Sequence, residues 1–472
     1  TLTALMLAAA TLVFLSPSAS ATAVTVTVND VVYAADDGDV AAGATVTDYT
    51  GPGGSVTILP SVDIGGTTYA VKTIGVDAFH SADLTGHLTI PDSGTTIQDY
   101  AFFDNSITGV DLGSVVTVGA NAFNGNAISE PLVLPDTLVS IGLAAFKDMR
   151  FTEPLVIPDS VVTIGASAFE ECSFTGLTLG TSISTIGSSA FRDDNVGGPL
   201  VLPDSLTSVG DLAFYQAGIT GALIVPDQVT TVGRSAFQTN HFSSLIIGSS
   251  VTSIADAAFG DNFDLTAVRF TGPAPTTFGG DVFTWGSGPP GLIVRFPYRF
   301  GASQTPGGYT TPTWSGNAYP TIAVATVSYE ANGGTPTPQS ADVDIDGSST
   351  ATEPAPPAKS GKVFTGWYTD PGLNTAYAFS SPVTSDLTLY AKYIDAAVTG
   401  LAPTISGLAQ VGATLTADPG PVEPANASLS YTWRADGSVI TGATGPTYKL
   451  KNAQAGRRIS VTITASSPGL DP

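Results

Sequence analysis

Residues 151–169 read FTEPLVIPDSVVTIGASAF, and variants of this phrase recur along the chain. Its first half returns as LTGHLTIPD (84–92), ISEPLVLPD (128–136), VGGPLVLPD (196–204) and ITGALIVPD (219–227). Its Ala-Phe ending recurs nine times, at Phe79, Phe102, Phe123, Phe146, Phe169, Phe191, Phe214, Phe237 and Phe259, always 21 to 23 residues apart. That period predicts a stacked solenoid, because one such unit cannot bury its own apolar face and needs neighbours.

Four copies place apolar residues as LxxLxL: Ile107-Val110-Leu112, Phe174-Leu177-Leu179, Phe242-Leu245-Ile247 and Leu265-Val268-Phe270. Five carry one extra residue, as in Phe151-Leu155-Ile157. The L-x-L part reads as a short strand with two side chains inward and one outward. A second apolar pair follows, such as Val161 and Ile164 or Leu206 and Val209, and then mostly a glycine: Gly142, Gly165, Gly187, Gly210, Gly233. Glycine there predicts a positive φ or a close backbone approach. The Ala-Phe pair is the expected core plug.

These residues resemble the BspA-like leucine-rich repeat of bacterial surface proteins over about 200 residues. In that family an Asn or Cys often precedes the strand and bonds loop backbone inside the coil. Asn105, Asn126, Cys172, Asn195, Asn240 and Asn262 match that place, and Arg150 and Ala217 depart from it. The resemblance implies adhesion or partner recognition by a secreted or surface-displayed protein.

If the solenoid holds a ligand, alternation along L-x-L assigns the outward positions as Thr89, Asp111, Val133, Val156, Thr178, Val201, Ile224, Ile246 and Arg269. Val133 to Ile246 would form a stripe about 25 Å long. Its aliphatic members suit a contact surface rimmed by polar residues; β-branched side chains also simply suit sheets.

Composition bounds the function. The 472 residues are 43 % hydrophobic and 12 % charged, with 52 Gly and 33 Pro, a turn-rich globular profile rather than a disordered one. A net charge of −24 argues against nucleic acid and against docking on anionic lipid. The single cysteine, Cys172, excludes an internal disulfide framework and reads as a small buried hydrophobe before a nucleophile. His80, His87 and His241 lie at no metal-ligand spacing and read as loop residues. No phosphate-binding loop, dinucleotide fingerprint, zinc-protease motif or nucleophile elbow stands in a fitting context, so the expectation is a non-enzyme without cofactor. Asp92, Asp136, Asp159, Asp204 and Asp227, once per coil after Pro, read as turn residues bonding local backbone, or else as an acidic stripe for a cation or basic partner.

Along the chain, LTALMLAAATLVFL (2–15) followed by SASATA (18–23) predicts a secretory signal over 1–21, with a buried core helix as the alternative. With no Met or basic stretch ahead of it, the sequence is expected to begin inside that signal. Residues 22–73 are expected to cap the solenoid, with VTVTVNDVVY (24–33) as one strand; Asp36, Asp37 and Asp39 form an acidic turn or a Ca²⁺ site. Repeats are expected over 74–270 and a C-terminal cap over 271–322. Residues 323–394, with VSYEANGG (327–334), GKVFTGWYTD (361–370) and PVTSDLTLYAKY (382–393), resemble the Listeria–Bacteroides (internalin B-type) repeat. That likeness implies a small β-grasp-like fold. Phe364, Trp367, Tyr377, Phe379, Leu387, Leu389 and Tyr393 are its candidate core. Within it Asp342, Asp344, Asp346 and Glu353 satisfy the letters of an EF-hand loop, but Pro354 follows at once and neither flank reads as helix, so a strand competes with a metal site. Residues 395–472 resemble an Ig-like β-sandwich with Trp433 at its centre and no Cys pair. A final strand is expected after Ser466-Ser467-Pro468-Gly469, so the sequence reads as a fragment of a longer chain.

The sequence thus predicts a mainly β protein: a leucine-rich repeat solenoid, a small β-grasp-like module and an incomplete Ig-like sandwich. Its expected role is binding of a protein or glycan at a cell surface, with no membrane insertion of the mature segment and the oligomeric state left open. The rival readings are an accessory region of a larger extracellular enzyme and a structural surface spacer.

Overall fold

Thr163-Ile164, the second apolar position of the quoted repeat, lies in the most regular part of the chain. Nine two-residue strands, Thr96–Ile97, Thr117–Val118, Ser140–Ile141, Thr163–Ile164, Thr185–Ile186, Ser208–Val209, Thr231–Val232, Ser253–Ile254 and Thr277–Phe278, pair in parallel, coil to coil. Thr67–Ile74 and Ala44–Tyr49 extend this ladder at its start. In the computed structural model, which describes residues 23–36, 39–94, 96–284, 291–303, 308–310, 320–395, 398–423 and 427–466, this is a β-solenoid. No α-helix occurs among the described residues. One unit ends at Ile322 and a second begins at Ala323.

The L-x-L segments, expected to be the sheet, form it only in pieces: Thr85–Thr89 with Ser106–Asp111, Leu155–Val156 with Leu177–Thr178, and Thr220–Val225 with His241–Ile247 and Ala267–Phe270. The physical reason is proline. Pro131 and Pro135, Pro154 and Pro158, Pro199 and Pro203 bracket L-x-L and remove N–H donors from the ladder. Where the leading proline is missing, as at Ala222, the strand lengthens to six residues.

All nine phenylalanines are buried and stack face to face, with centroids 5.0 to 5.6 Å apart. The column runs past the expected repeat end at Phe270: Phe283 stacks on Phe259 at 6.0 Å. Ile293–Pro297 then adds a further parallel strand beside Ala267–Phe270. Each plug is framed by left-handed residues two positions before and after it, such as Ser167 and Glu171 around Phe169.

Gly142, Gly165, Gly187, Gly210 and Gly233 do not adopt positive φ; they are required by close approach. A Cβ on Gly165 would lie 2.5 Å from the carbonyl carbon of Gly142, one coil earlier, and the column repeats this contact.

Inside the coil, the third residue after the Phe forms a rung in six of the nine coils: Asn105, Asn126, Cys172, Asp194, Asn240 and Asn262. Asn105 Nδ2 donates to the carbonyls of Phe79 and Phe102, and its Oδ1 accepts from the Leu84 N–H. Asn126, Asn240 and Asn262 repeat the pattern. This register corrects two expectations. Asn195 is exposed and bonds only the nearby Gly197 N–H; the rung there is the buried Asp194. Arg150 is likewise exposed, and the departure is the buried Met149. Outside the ladder, Thr207, Thr230, Thr252 and Thr276 hydroxyls donate to the preceding coil's carbonyls, tying coils together a second time.

Residues 24–33 are a hairpin rather than one strand. Ala23–Val28 pairs antiparallel with Val31–Asp36 through Asn29-Asp30, both at positive φ, the requirement of a tight two-residue turn. The expected signal over 1–21 and Asp37 lie outside the described residues.

In the second unit, Thr321–Glu330 and Leu387–Asp395 pair in parallel, flanked antiparallel by Ala341–Asp344 and Lys362–Tyr368. Trp367 and Leu389 are buried there, with Phe364, Tyr377, Phe379, Leu387 and Tyr393 packed against the cluster. Further on, two three-stranded antiparallel sheets, Thr404–Ser406 with Thr414–Asp418 and Thr447–Lys449, and Ser438–Val439 with Ser428–Ala435 and Ile459–Ser466, share a core about the fully buried Trp433. Its indole N–H donates to the Gly445 carbonyl.

Candidate functional site

The nine outward residues assigned from alternation keep a common register where strands form: Thr89 beside Asp111, Val156 beside Thr178, and Ile224 beside Ile246 and Arg269. Val133, Val156, Val201 and Ile224 are 73, 55, 79 and 52 % exposed, while their neighbours Leu132, Leu155, Leu200 and Leu223 are buried. Thr89, Asp111 and Thr178 are also exposed. Ile246 and Arg269 depart from the expectation and are only partly exposed. In the next strand Arg295 stands opposite Arg269.

The aliphatic row is widened by the exposed Pro131, Pro154 and Pro199 two residues before each valine. Carboxylates rim both sides, with Glu130 and Glu153 on one and Asp136, Asp159, Asp204 and Asp227 on the other. Prolines that break the ladder therefore also make this face broad and apolar. A depression of about 320 Å³ opens at its start, lined by Thr89, Asp92, Asp111, Gly113 and Val133 among others.

Two of the post-proline aspartates, Asp159 and Asp227, bond backbone of the next coil and not the local backbone that was expected. Asp159 accepts from the Thr181 N–H at 2.8 Å and Asp227 from the Ser249 N–H at 2.7 Å, both on the next coil. Those coils carry Gly-Thr and Gly-Ser where others carry Pro-Asp. The backbone hydrogen bonds hold both carboxyls below their ordinary range.

Above Asp111, His87 lies on a strand, not in a loop. Its Nδ1 is 2.7 Å from Glu130 Oε2 and its Nε2 3.3 Å from Asp111 Oδ2. The Glu130 hydrogen bond raises the imidazole pKa; burial opposes it, and Asp111 adds to the rise. His241 also lies on a strand, against expectation, and pairs with Asp264; His80 pairs with Asp77.

Two buried acids escaped the sequence reading. Glu170 sits between Lys147 at 2.8 Å and Arg192 at 3.3 Å. Burial pushes its carboxyl up, but the Lys147 and Ser167 hydrogen bonds and the two cations outweigh it and hold it low. Asp194 Oδ1 accepts the Cys172 N–H at 2.6 Å, and burial pushes this carboxyl up to about 9. Its Oδ2 is buried and has no hydrogen-bond partner. Protonated, it can donate as the Asn rungs do. The signal for both acids was positional: Phe plus one and Phe plus three.

Cys172 is buried, its Sγ donating to the Phe146 carbonyl at 3.1 Å, and burial pushes the thiol well above its ordinary value. That chemistry fits a rung and not a nucleophile. The EF-hand candidates are not brought together as ligands. Asp342 and Asp344 lie on a paired strand, and Asp342 accepts the Thr326 hydroxyl. Asp346 accepts the N–H groups of Ser348 and Ser349, which lower its pKa, and Glu353 is exposed further on. Among the described residues no three His, Cys, Asp or Glu side chains are grouped to hold a metal, and no helix is long and apolar enough to cross a membrane.

Comparison with known proteins agrees with this layout. Residues 72–197, 117–222 and 198–285 match the family model of the BspA type leucine rich repeat region, and residues 326–392 match the Listeria–Bacteroides repeat domain. A protein of Evansella cellulosilytica, provisionally named a membrane protein, is 47 % identical over 73 residues, 15 % of this chain and 10 % of that protein; the chain thus spans about a tenth of that relative's length. A leucine-rich repeat protein of Bacteroides ovatus, 20 % identical, covers 58 % of this chain and 95 % of its own, with a TM-score of 0.36. A leucine rich cell surface protein of Faecalibacterium prausnitzii, 19 % identical, covers 58 % and 89 % with a TM-score of 0.35. By its family matches the chain is similar to BspA type leucine rich repeat regions over residues 72–285 and to Listeria–Bacteroides repeats over residues 326–392.

Proposed function

We propose that this is a non-enzymatic binding protein of the cell surface or extracellular space. The solenoid presents a recognition face through Thr89, Asp111, Val133, Val156, Thr178, Val201, Ile224, Ile246 and Arg269, with the modules after it, the last Ig-like, as spacers. The carrying observation is the exposure of Val133, Val156, Val201 and Ile224 in one row. Burying such a row is worth roughly 25 cal/mol per Å², whereas leaving four aliphatic side chains in water gains nothing for the fold. The partner best suited is a protein with an apolar strip and basic flanks, to meet the carboxylate rims. The match to BspA type repeats and the membrane-protein name of the Evansella relative support a surface location. A non-enzymatic role is supported by His87, whose two nitrogens both face carboxylates, and by Cys172, sealed inside the coil.

The test is adherence of the purified chain to host cells, matrix proteins and other bacteria, compared with a Val156→Glu/Val201→Glu double variant. Both sites are exposed, so the variant folds. Loss of adherence supports the face; undiminished adherence removes it from consideration.

A further inference from the structure

On the first two coils, three aromatic side chains meet at the surface. The rings of Tyr100 and His80 are near parallel, 15° apart with centroids at 6.3 Å. Phe103 stands edge-on to both, at 5.0 Å from His80 and 5.5 Å from Tyr100. We propose that this aromatic platform is a glycan subsite for a neutral saccharide, independent of the valine face.

Tyr100 sits where it is costly. It is one of the left-handed residues two positions before the phenylalanine plug, at φ +58°. Asp77, Asn121, Ala144, Ser167, Ser189, Ser235 and Ala257 hold this place in other coils; only Leu212 is otherwise bulky. A large side chain in that conformation is strained, and Tyr100 gains little burial in return, being 39 % exposed. The ring faces outward on a rigid column, propped from beneath by the half-buried Phe103. The exposed ring of Tyr100 offers a flat apolar surface, and such a surface fits the C–H face of a pyranose better than a compact cation.

Polar groups adjoin the aromatic residues. Asp77 Oδ1 lies 3.0 Å from His80 Nδ1 and fixes that ring. Ser81 Oγ donates to Asp104 Oδ2 at 3.0 Å, so a hydroxyl and a carboxylate lie together on the residues that follow His80 and Phe103. Such groups can accept or donate to equatorial hydroxyls. The carboxylates, in a chain of net charge −24, exclude uronic or sialic acid saccharides.

The experiment is isothermal titration of the full chain with cellohexaose, laminarihexaose, xylohexaose, mannohexaose and chitohexaose at millimolar concentration, with sialyllactose as the anionic control. Wild type should bind at least one neutral hexasaccharide and not sialyllactose. Tyr100→Ala should weaken that binding about tenfold or more, and Tyr100→Phe, which keeps the ring, should change it less than about threefold. Ala144 and Ala257 already occupy this place at positive φ, so Tyr100→Ala folds; an unchanged thermal midpoint verifies it. Failure of every neutral saccharide to bind, or equal binding by Tyr100→Ala, overturns the proposal. A polypeptide ligand lost on Tyr100→Ala while no saccharide binds would overturn it in favour of a protein subsite.

Discussion

His87 and Glu130 are 43 residues and two coils apart, yet His87 Nδ1 lies 2.7 Å from Glu130 Oε2. The coil between contributes Gly109, in register with His87. With no side chain there, the two neighbours cross over its bare backbone; a Cβ would sit 2.6 Å from His87 Nδ1. The glycine is thus a gap that lets an imidazole reach a carboxylate across a whole coil.

Gly109→Ala should therefore separate the pair and lower the His87 pKa towards its ordinary value, read as the imidazole shift in a two-dimensional NMR titration. His87 has a raised pKa in the fold, so its stabilising contribution is complete below the unfolded value near 6.5 and is lost as pH rises through the raised value. A His87 titration identical in wild type and Gly109→Ala would contradict this. The group is exposed, so the effect is expected in the titration rather than in a large change of global stability.

Asp194→Asn should stabilise the solenoid, and by more at higher pH. The folded carboxyl titrates at about 9 against 3.8 for a free one. Between those values the native state holds a proton that the unfolded chain lacks. Stability is therefore fullest below 3.8 and falls as pH rises towards 9, by up to about 1.4 kcal/mol per unit. Asparagine supplies the same donor without the proton. Thermal midpoints of the two proteins should diverge from pH 4 to 9; parallel curves would show that Asp194 is ionised in place.

Phe169→Ala should cost about 3–5 kcal/mol, the usual range for emptying a buried phenylalanine site. The ring is fully buried between Phe146 at 5.6 Å and Phe191 at 5.5 Å. Stability here rests on contacts between adjacent coils, so the loss falls in the middle of the stack. A denaturation midpoint equal to wild type would refute the plug.

The period, the Ala-Phe plug and the outward valines were legible because each repeats with little variation. What was missed depends on register or on distance. Asn195 and Arg150 each stand one residue beyond the buried position, because Asp194 and Met149 are not the Asn or Cys that the resemblance leads one to expect there. The continuous ladder through Thr163-Ile164 was hidden because two-residue strands carry no alternation to read, while proline weakened the more obvious L-x-L strand. The His87–Glu130 pair and the Tyr100 platform join different coils, and no local pattern marks either.

The central claim, that the solenoid binds through its valine face, is tested most directly by site-specific photocrosslinking. A benzophenone amino acid is placed at Val201, on that face, and in a second protein at Val162, beside the Thr163-Ile164 ladder; both positions are exposed. Each protein is irradiated on the cells or matrix to which wild type adheres. The account predicts a discrete adduct from position 201 and none from 162. An adduct from 162, with none from 201, would contradict it.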